Sequence, residues 1–183
     1  MRSSRGAVFL DRDGVINACP QNRFITCWRD FRFLPGSLKA LRLLHLRRRR
    51  VVVVSNQSAI GRGLLTREKL QEITQRMLES IRRKGGKVHA VYYCIHHPQA
   101  GCPCRKPRPG MLKSAARKLS INLSRSYVVG DHAMDIQMGQ EAGCRTILVL
   151  SGRLTRGSAG RLKLTPDRIA KDLSEAVEWI LDQ

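Results

Sequence analysis

Five short apolar runs constrain this chain most. Each ends on a polar or chemically active residue, and helical patterns lie between them. Ala7 to Leu10 closes on Asp11, Val51 to Val54 on Ser55, and Val88 to Tyr93 on Cys94. Ser126 to Val129 closes on Gly130-Asp131, and Thr146 to Leu150 on Ser151-Gly152. Uninterrupted β-branched runs of this length read as strands buried on both faces. Helices are expected from Ser37 to about Arg49, from Thr66 to the Gly85-Gly86 pair, over Met111 to Leu119, over Ala133 to Ala142 and over Asp172 to Leu181. Ser37, Thr66 and the glycine pair supply the cap chemistry.

Strand alternating with helix predicts an α/β protein with a doubly wound, mainly parallel sheet, residues 1–183 forming one domain without a large cap domain. Such sheets bind ligands beyond the carboxyl ends of their strands. Asp11, Ser55, Cys94 and Asp131 all fall there, so four reactive side chains converge on one sheet edge. The irregular stretch from Asn17 to Leu34 is a candidate flap over that edge. A second loop, basic and glycine-containing, runs from Gly152 to Pro166.

Apolar residues make up 42% of the 183, enough for a packed core. No apolar run approaches the roughly 20 residues that span a bilayer. The run before Asp11 is shorter than the roughly 7–15 residues of a signal-peptide core. A cytoplasmic protein without a membrane partner is expected. The 34 Lys and Arg outnumber the 14 Asp and Glu, for a formal charge of +20. A surface of that sign attracts phosphorylated metabolites or nucleic acid. Arg47 to Arg50 is the densest patch and reads as the solvated end of a helix. Aromatic residues are few, so no dedicated nucleic-acid partner is expected.

Asp11-Arg12-Asp13-Gly14 sets two carboxylates two residues apart after the first strand. Oxygen ligands of this type suit magnesium. One carboxylate can attack phosphorus and the other can serve as acid and base. Ser55-Asn56-Gln57-Ser58 offers a hydroxyl and turn amides for phosphate oxygens. Lys106, stiffened by Pro107 and Pro109, offers a fixed cation. Asp131 is a candidate to complete a metal site; Asp135 either joins it or caps the following helix.

Cys94, His96, Cys102 and Cys104 form a compact Cys3His set. Three thiolates and an imidazole suit tetrahedral zinc, and four protein ligands leave no open position, so the zinc is structural. His97 is the neighbouring alternative to His96. Cys19, Cys27 and Cys144 lie outside the set, with Cys144 expected in the core. The clamp would hold Arg105 and Lys106, which follow Cys104 directly, at the active edge.

This order of motifs, from Asp11 to Asp135, resembles the haloacid dehalogenase superfamily of phosphatases. The resemblance implies that Asp11 is the nucleophile and Asp13 the acid that later activates water. It implies that Ser55 binds the transferring phosphate and Lys106 steadies it. Magnesium would sit between Asp11, the main-chain carbonyl of Asp13, and Asp131. The stretches VVVSNQSAIGRGLL from Val52 and CIHHPQAGCPCRKPRPGML from Cys94 are similar to the heptose bisphosphate 7-phosphatase family, whose product feeds ADP-heptose and lipopolysaccharide core synthesis. In that family Arg105 contacts the substrate, with Asn56, Gln57 and Ser58 nearby. The expected partner is a small phosphorylated sugar, handled by a monomer. Histidinol-phosphate phosphatases share the zinc loop and are the alternative; a basic nucleic-acid-associated protein ranks below both. The flap and His132 depart from the heptose family's pattern.

Overall fold

The computed structural model describes residues 5–19, 24–152 and 165–183. Its strands are β1 (Ala7–Leu10), β2 (Arg50–Asn56), β3 (Ala90–Cys94), β4 (Tyr127–Gly130), β5 (Arg145–Val149) and β6 (Arg168–Ala170). They form one six-stranded sheet in the order β3-β2-β1-β4-β5-β6. Every pairing is parallel, as the alternating pattern predicts. The helices are α1 (Ser37–Leu46), α2 (Arg67–Arg83), α3 (Gly110–Leu119), α4 (Ala133–Glu141) and α5 (Leu173–Leu181).

The pleat of the central strands divides the core in two. Val8, Leu10, Val51 and Val53 face a layer that includes Leu41 and Leu44 of α1, Ile73 and Met77 of α2, and Val177 and Ile180 of α5. Phe9, Val52, Val54 and Val128 face Leu112 and Ala115 of α3 and Met138 of α4. Each buried Val, Leu or Ile contributes about 1.5–3 kcal/mol relative to exposure, so the register of β1 and β2 is firmly set. Cys144 lies in the second layer, in the core as expected.

Local chemistry fixes the element ends. Thr66 Oγ1 accepts the Lys69 N–H at 3.2 Å. Asp172 accepts from the amides of Ser174 and Glu175 at 2.8 and 3.1 Å. The structure departs from the sequence expectation at several element ends and in one added strand; Gly36, not Ser37, is the N-cap of α1. Helix α1 stops at Leu46, not Arg49, because Arg48 takes a left-handed φ of 53°. Strand β3 begins at Ala90 and not Val88; the His89 ring instead accepts the Val51 N–H at 3.1 Å. Strand β6 was not anticipated: it is three residues long at the sheet edge, and only Ala170 is buried. Most of the expected basic loop after Gly152 lies outside the described residues.

The insert after β1 closes on itself. Leu34 N–H donates to Ile16 O at 3.0 Å and Ala18 N–H to Arg32 O at 2.8 Å. Trp28 stacks on Phe31 with centroids 4.9 Å apart, and Phe33 meets Phe31 edge-on at 5.0 Å.

Candidate active site

Strand β1 delivers Asp11 to the carboxyl edge, where its N–H bonds Val129 O of neighbouring β4 at 2.9 Å. Strand β4 delivers Asp131 one residue beyond its last. Helix α4 delivers Asp135 from its first turn. One carboxylate oxygen from each of Asp11, Asp131 and Asp135 lies within 4.8 Å of the others. Lys106 Nζ reaches into this group, at 2.8 Å from Asp11 Oδ1 and 2.6 Å from Asp135 Oδ1. Asp131, Asp135 and Lys106 are buried, and Asp11 nearly so at 8% exposure.

Three carboxylates converge on one ammonium in a site shielded from water. That burial shows in the titration of Asp11. Burial raises its pKa, Lys106 opposes, Asp135 and Asp13 add to the rise, and the result is about 6. Burial would lower the pKa of Lys106, but Asp11 and Asp135 more than reverse this and hold the ammonium charged. A buried cluster of hard oxygen donors fits a divalent cation such as magnesium.

Asp135 takes the capping role and stands beside the other two carboxylates of the cluster. Its Oδ2 accepts the His132 N–H at 3.1 Å, closing a capping box in which His132 Nδ1 accepts from Met134 N at 3.2 Å. Its Oδ1 meets Lys106.

Glycines shape the other side of the cluster. At Gly14, φ is +86° and a Cβ would stand 2.2 Å from Asp131 Oδ2; at Gly152 it would stand 2.1 Å from the same oxygen. The Asp131 carboxylate thus rests against two bare backbones, and Ser151 Oγ donates to Gly14 O at 2.8 Å.

A cavity of about 260 Å³ opens onto this cluster. Ser55, Asn56, Gln57, Ser58, Arg105 and Lys106 all line it, as expected of the phosphate and substrate side. Cys19, Phe24 and Ile25 of the insert also line it, so the insert does flank the site. Arg62 and Met134 line it too and were not singled out from sequence; His132, noted there only as a departure from the family's pattern, also lines it. Asn56 and Lys106 clasp each other: Lys106 N–H donates to Asn56 Oδ1 at 3.2 Å, and Asn56 Nδ2 to Lys106 O at 3.4 Å. One guanidinium nitrogen of Arg105, Nη1, is buried with no hydrogen-bond partner among the described residues.

Asp13 sits at the mouth, its side chain 23% exposed and gripped from behind. Arg12 donates to it through Nε at 3.1 Å and Nη2 at 3.0 Å. Asn17 Nδ2 and Gln57 Nε2 each donate to it at 2.9 Å. Burial works to raise its pKa, but Arg12, Asn17 and Gln57 outweigh burial and hold it below the ordinary carboxylate value.

Comparison with known proteins settles the lineage. The HAD-hydrolase-like family profile matches residues 103–176. The D-glycero-beta-D-manno-heptose-1,7-bisphosphate 7-phosphatase of Bordetella bronchiseptica is 36% identical over 96% of this chain and 98% of its own. The enzyme of that name from Escherichia coli K12 is 35% identical over 100% of this chain and 91% of its own. The crystal structure of D,D-heptose 1,7-bisphosphate phosphatase from B. bronchiseptica, complexed with magnesium and phosphate, superposes with a TM-score of 0.91. It is 35% identical and covers 97% of this chain and 98% of its own. The chain belongs to this HAD-like phosphatase family. It is a phosphoric monoester hydrolase with the family's parallel-sheet fold.

In this HAD-like phosphatase the cysteine loop closes into a second cluster beside the first. Cys94 Sγ lies 3.5 Å from Cys102 Sγ and 3.7 Å from His96 Nδ1. Cys104 Sγ lies 3.5 Å from Cys102 Sγ and 3.3 Å from His96 Nδ1. Sulfurs bonded to one zinc at ~2.3 Å in a tetrahedron stand roughly 3.8 Å apart, so the group fits that ion. His97 is engaged elsewhere, its Nδ1 accepting Gln99 N–H at 3.3 Å. The phosphatase braces this loop from two directions. Arg108 Nη1 donates to Cys102 O at 2.8 Å and to Gly101 O. A Cβ at Gly61 would stand 2.3 Å from His97 N, so the loop after β2 lies directly on the cysteine loop.

The sequence did not flag Arg12, the largest fully buried side chain. Its signal was its place: two residues past a strand buried at every position, an Arg has no solvent-facing side to take.

Proposed function

We propose that this phosphatase removes the 7-phosphate of D-glycero-D-manno-heptose 1,7-bisphosphate through an aspartyl phosphate on Asp11. The bridge of Lys106 between Asp11 and Asp135, beside Asp131, carries the catalytic part of this proposal. Similarity at 35–36% identity over nearly the whole chain to enzymes of that name supports the substrate.

Asp11 Oδ attacks phosphorus in line; the new oxygen–phosphorus bond of an acyl phosphate forms as the bond from phosphorus to the sugar oxygen breaks. Asp13 gives that oxygen its proton. An arriving phosphate dianion places like charge beside Asp13 and raises its proton affinity, which readies it as an acid. Water next attacks the aspartyl phosphate, Asp13 takes its proton, and inorganic phosphate leaves. Ser55 and Lys106 hold the phosphoryl oxygens. Arg105, with Nη1 buried and unpartnered among the described residues, is placed to take an anionic or hydroxyl group of the substrate. Asn56 keeps Lys106 in place, and Gln57 and Ser58 complete the wall.

Magnesium would be held by Asp11, Asp131 and the Asp13 carbonyl, and would supply charge neutralisation of the transferring phosphoryl group. Zinc would be held by Cys94, His96, Cys102 and Cys104 as a structural ion. All catalytic groups come from residues 1–183, which supports a monomer, and the six cysteines are free, which suits a reducing cytoplasm. Phosphate release from both heptose bisphosphate anomers, histidinol phosphate and other sugar phosphates tests the substrate. Faster turnover of histidinol phosphate than of either heptose ester overturns it.

A further inference from the structure

The sheet's amino edge, opposite the active site, carries a second and larger concavity of about 1390 Å³. Its charged lining is basic throughout: Arg5, the consecutive Arg47, Arg48, Arg49 and Arg50, Lys118 and Arg125, with no Asp or Glu. These residues precede β1, β2 and β4 or end α3, and β2, β1 and β4 are neighbours in the sheet. At about 4.8 Å per strand, the cations span roughly 10 Å of edge before side-chain reach is added.

The backbone shows that this is more than the frayed end of a helix. Arg48 holds φ 53°, a left-handed conformation that favours glycine and costs an arginine about 1 kcal/mol or more. Arg50 is fixed by donating to Leu119 O at 2.7 Å, which ties the arginine turn to the end of α3. The positive wall therefore has a defined shape.

We propose that this groove binds the phosphate backbone of a single-stranded nucleic acid without reading its bases. The volume exceeds the range of about 300–1,000 Å³ typical of small-ligand pockets, so an extended polyanion fits better than a metabolite. No aromatic side chain lines it, so there is no stacking platform and contact is through phosphates. A membrane surface fits less well: the cations line a concavity, and Leu46 is the one exposed large apolar residue beside them among the described residues. The groove uses none of the catalytic residues, so it stands apart from the proposed phosphatase chemistry.

The test is fluorescence anisotropy of the full chain with labelled oligonucleotides of about 16 nucleotides, a plausible length for one such site. The triple variant Arg47→Ser, Arg48→Gly, Arg49→Ser removes three charges, and glycine at 48 relieves the left-handed strain. Binding should weaken at least tenfold, and the slope of log affinity against log salt should flatten by about 2, at ~0.7 per lost phosphate contact. Hydrolysis of a small phosphate ester should stay within twofold. Asp11→Asn should bind the oligonucleotide as the parent does, and oligo(dT) and oligo(dA) should bind alike. As a charge-matched control, Arg67→Ser, Lys69→Ser, Arg76→Ser alters exposed positions of α2. Equal weakening in the two triple variants would show diffuse attraction to net charge and overturn the site. So would retention by phosphatidylcholine–phosphatidylserine vesicles without oligonucleotide binding.

Discussion

Arg12 folds back onto its neighbour Asp13 with a two-point contact, Nε at 3.1 Å and Nη2 at 3.0 Å, while remaining 1% exposed itself. Nη2 also donates to Gln57 Oε1 at 3.1 Å, and Gln57 Nε2 donates to Ser55 Oγ at 3.1 Å. One guanidinium thereby ties the proposed acid to the proposed phosphate-binding serine. The fork shape is essential, since a lysine carries the charge but not the paired donors. Arg12→Lys should lower kcat on sugar phosphates about tenfold or more, within the range that positioned acid–base groups supply. An aryl phosphate, whose leaving group needs little protonation, should lose less than threefold. Equal loss on both substrates would reduce Arg12 to a folding role.

Asp11 carries a different tension. With its pKa raised from 3.8 to about 6, native protein holds the proton more tightly than unfolded chain does. The stabilisation is complete below the unfolded value and is lost as pH rises through about 6. Metal-free protein should therefore lose stability between about pH 4 and 6 from this group, by up to about 3 kcal/mol. Asp11→Asn removes the charge. It should abolish turnover yet melt higher than the parent in chelator at pH 7.5. Magnesium should narrow that gap by stabilising the parent alone. A lower melting temperature for the variant in chelator would contradict the account of Asp11 as a carboxylate whose charge is disfavoured by burial.

What the sequence made legible was whatever depends on one-dimensional order. Strands buried on both faces produce unbroken apolar runs, and the residue ending each run must lie at the carboxyl edge. That alone brought Asp11, Ser55, Cys94 and Asp131 together. Relations across the fold were opaque. Arg12 looked like a spacer between two aspartates because nothing local announces Gln57, forty-five positions on, as its partner. Asp135 was read as ligand or cap because each use needs only one of its oxygens; the structure gives one oxygen to the cap and the other to Lys106. Helix α1 ran past its real end on paper because arginines favour helix, whereas the turn into β2 demands a left-handed residue at 48. Strand β6 was too short and too exposed to produce a pattern.

Gly14 should tolerate no side chain. A methyl group there would stand 2.2 Å from Asp131 Oδ2 and would also face a φ of +86°. Either the Asp131 carboxylate moves or the turn carrying Asp13 does. Gly14→Ala should reduce kcat/KM at least a hundredfold and raise the magnesium concentration for half-maximal activity, while circular dichroism stays native-like. Unchanged magnesium dependence would show that Asp131 does not need this cradle.

The zinc clamp should act on catalysis through Lys106. Cys104 belongs to the cluster, and the chain reaches Lys106 two residues later, where Asn56 fastens it on the other side. Loosening one anchor leaves the ammonium free to drift from Asp11, and misplacement of about 1 Å can cost on the order of a hundredfold in rate. Cys104→Ser should bind less than one zinc per chain by metal analysis and lose ~10–100-fold in kcat, the loss typical of disturbed metal surroundings. The decisive comparison is removal of zinc from the parent by a thiol-reactive mercurial, followed by restored magnesium and reductant without zinc. Activity should stay low until zinc is returned. Full recovery with magnesium alone would mean that the cysteine loop holds Lys106 without its ion, and that Asn56 and the prolines suffice.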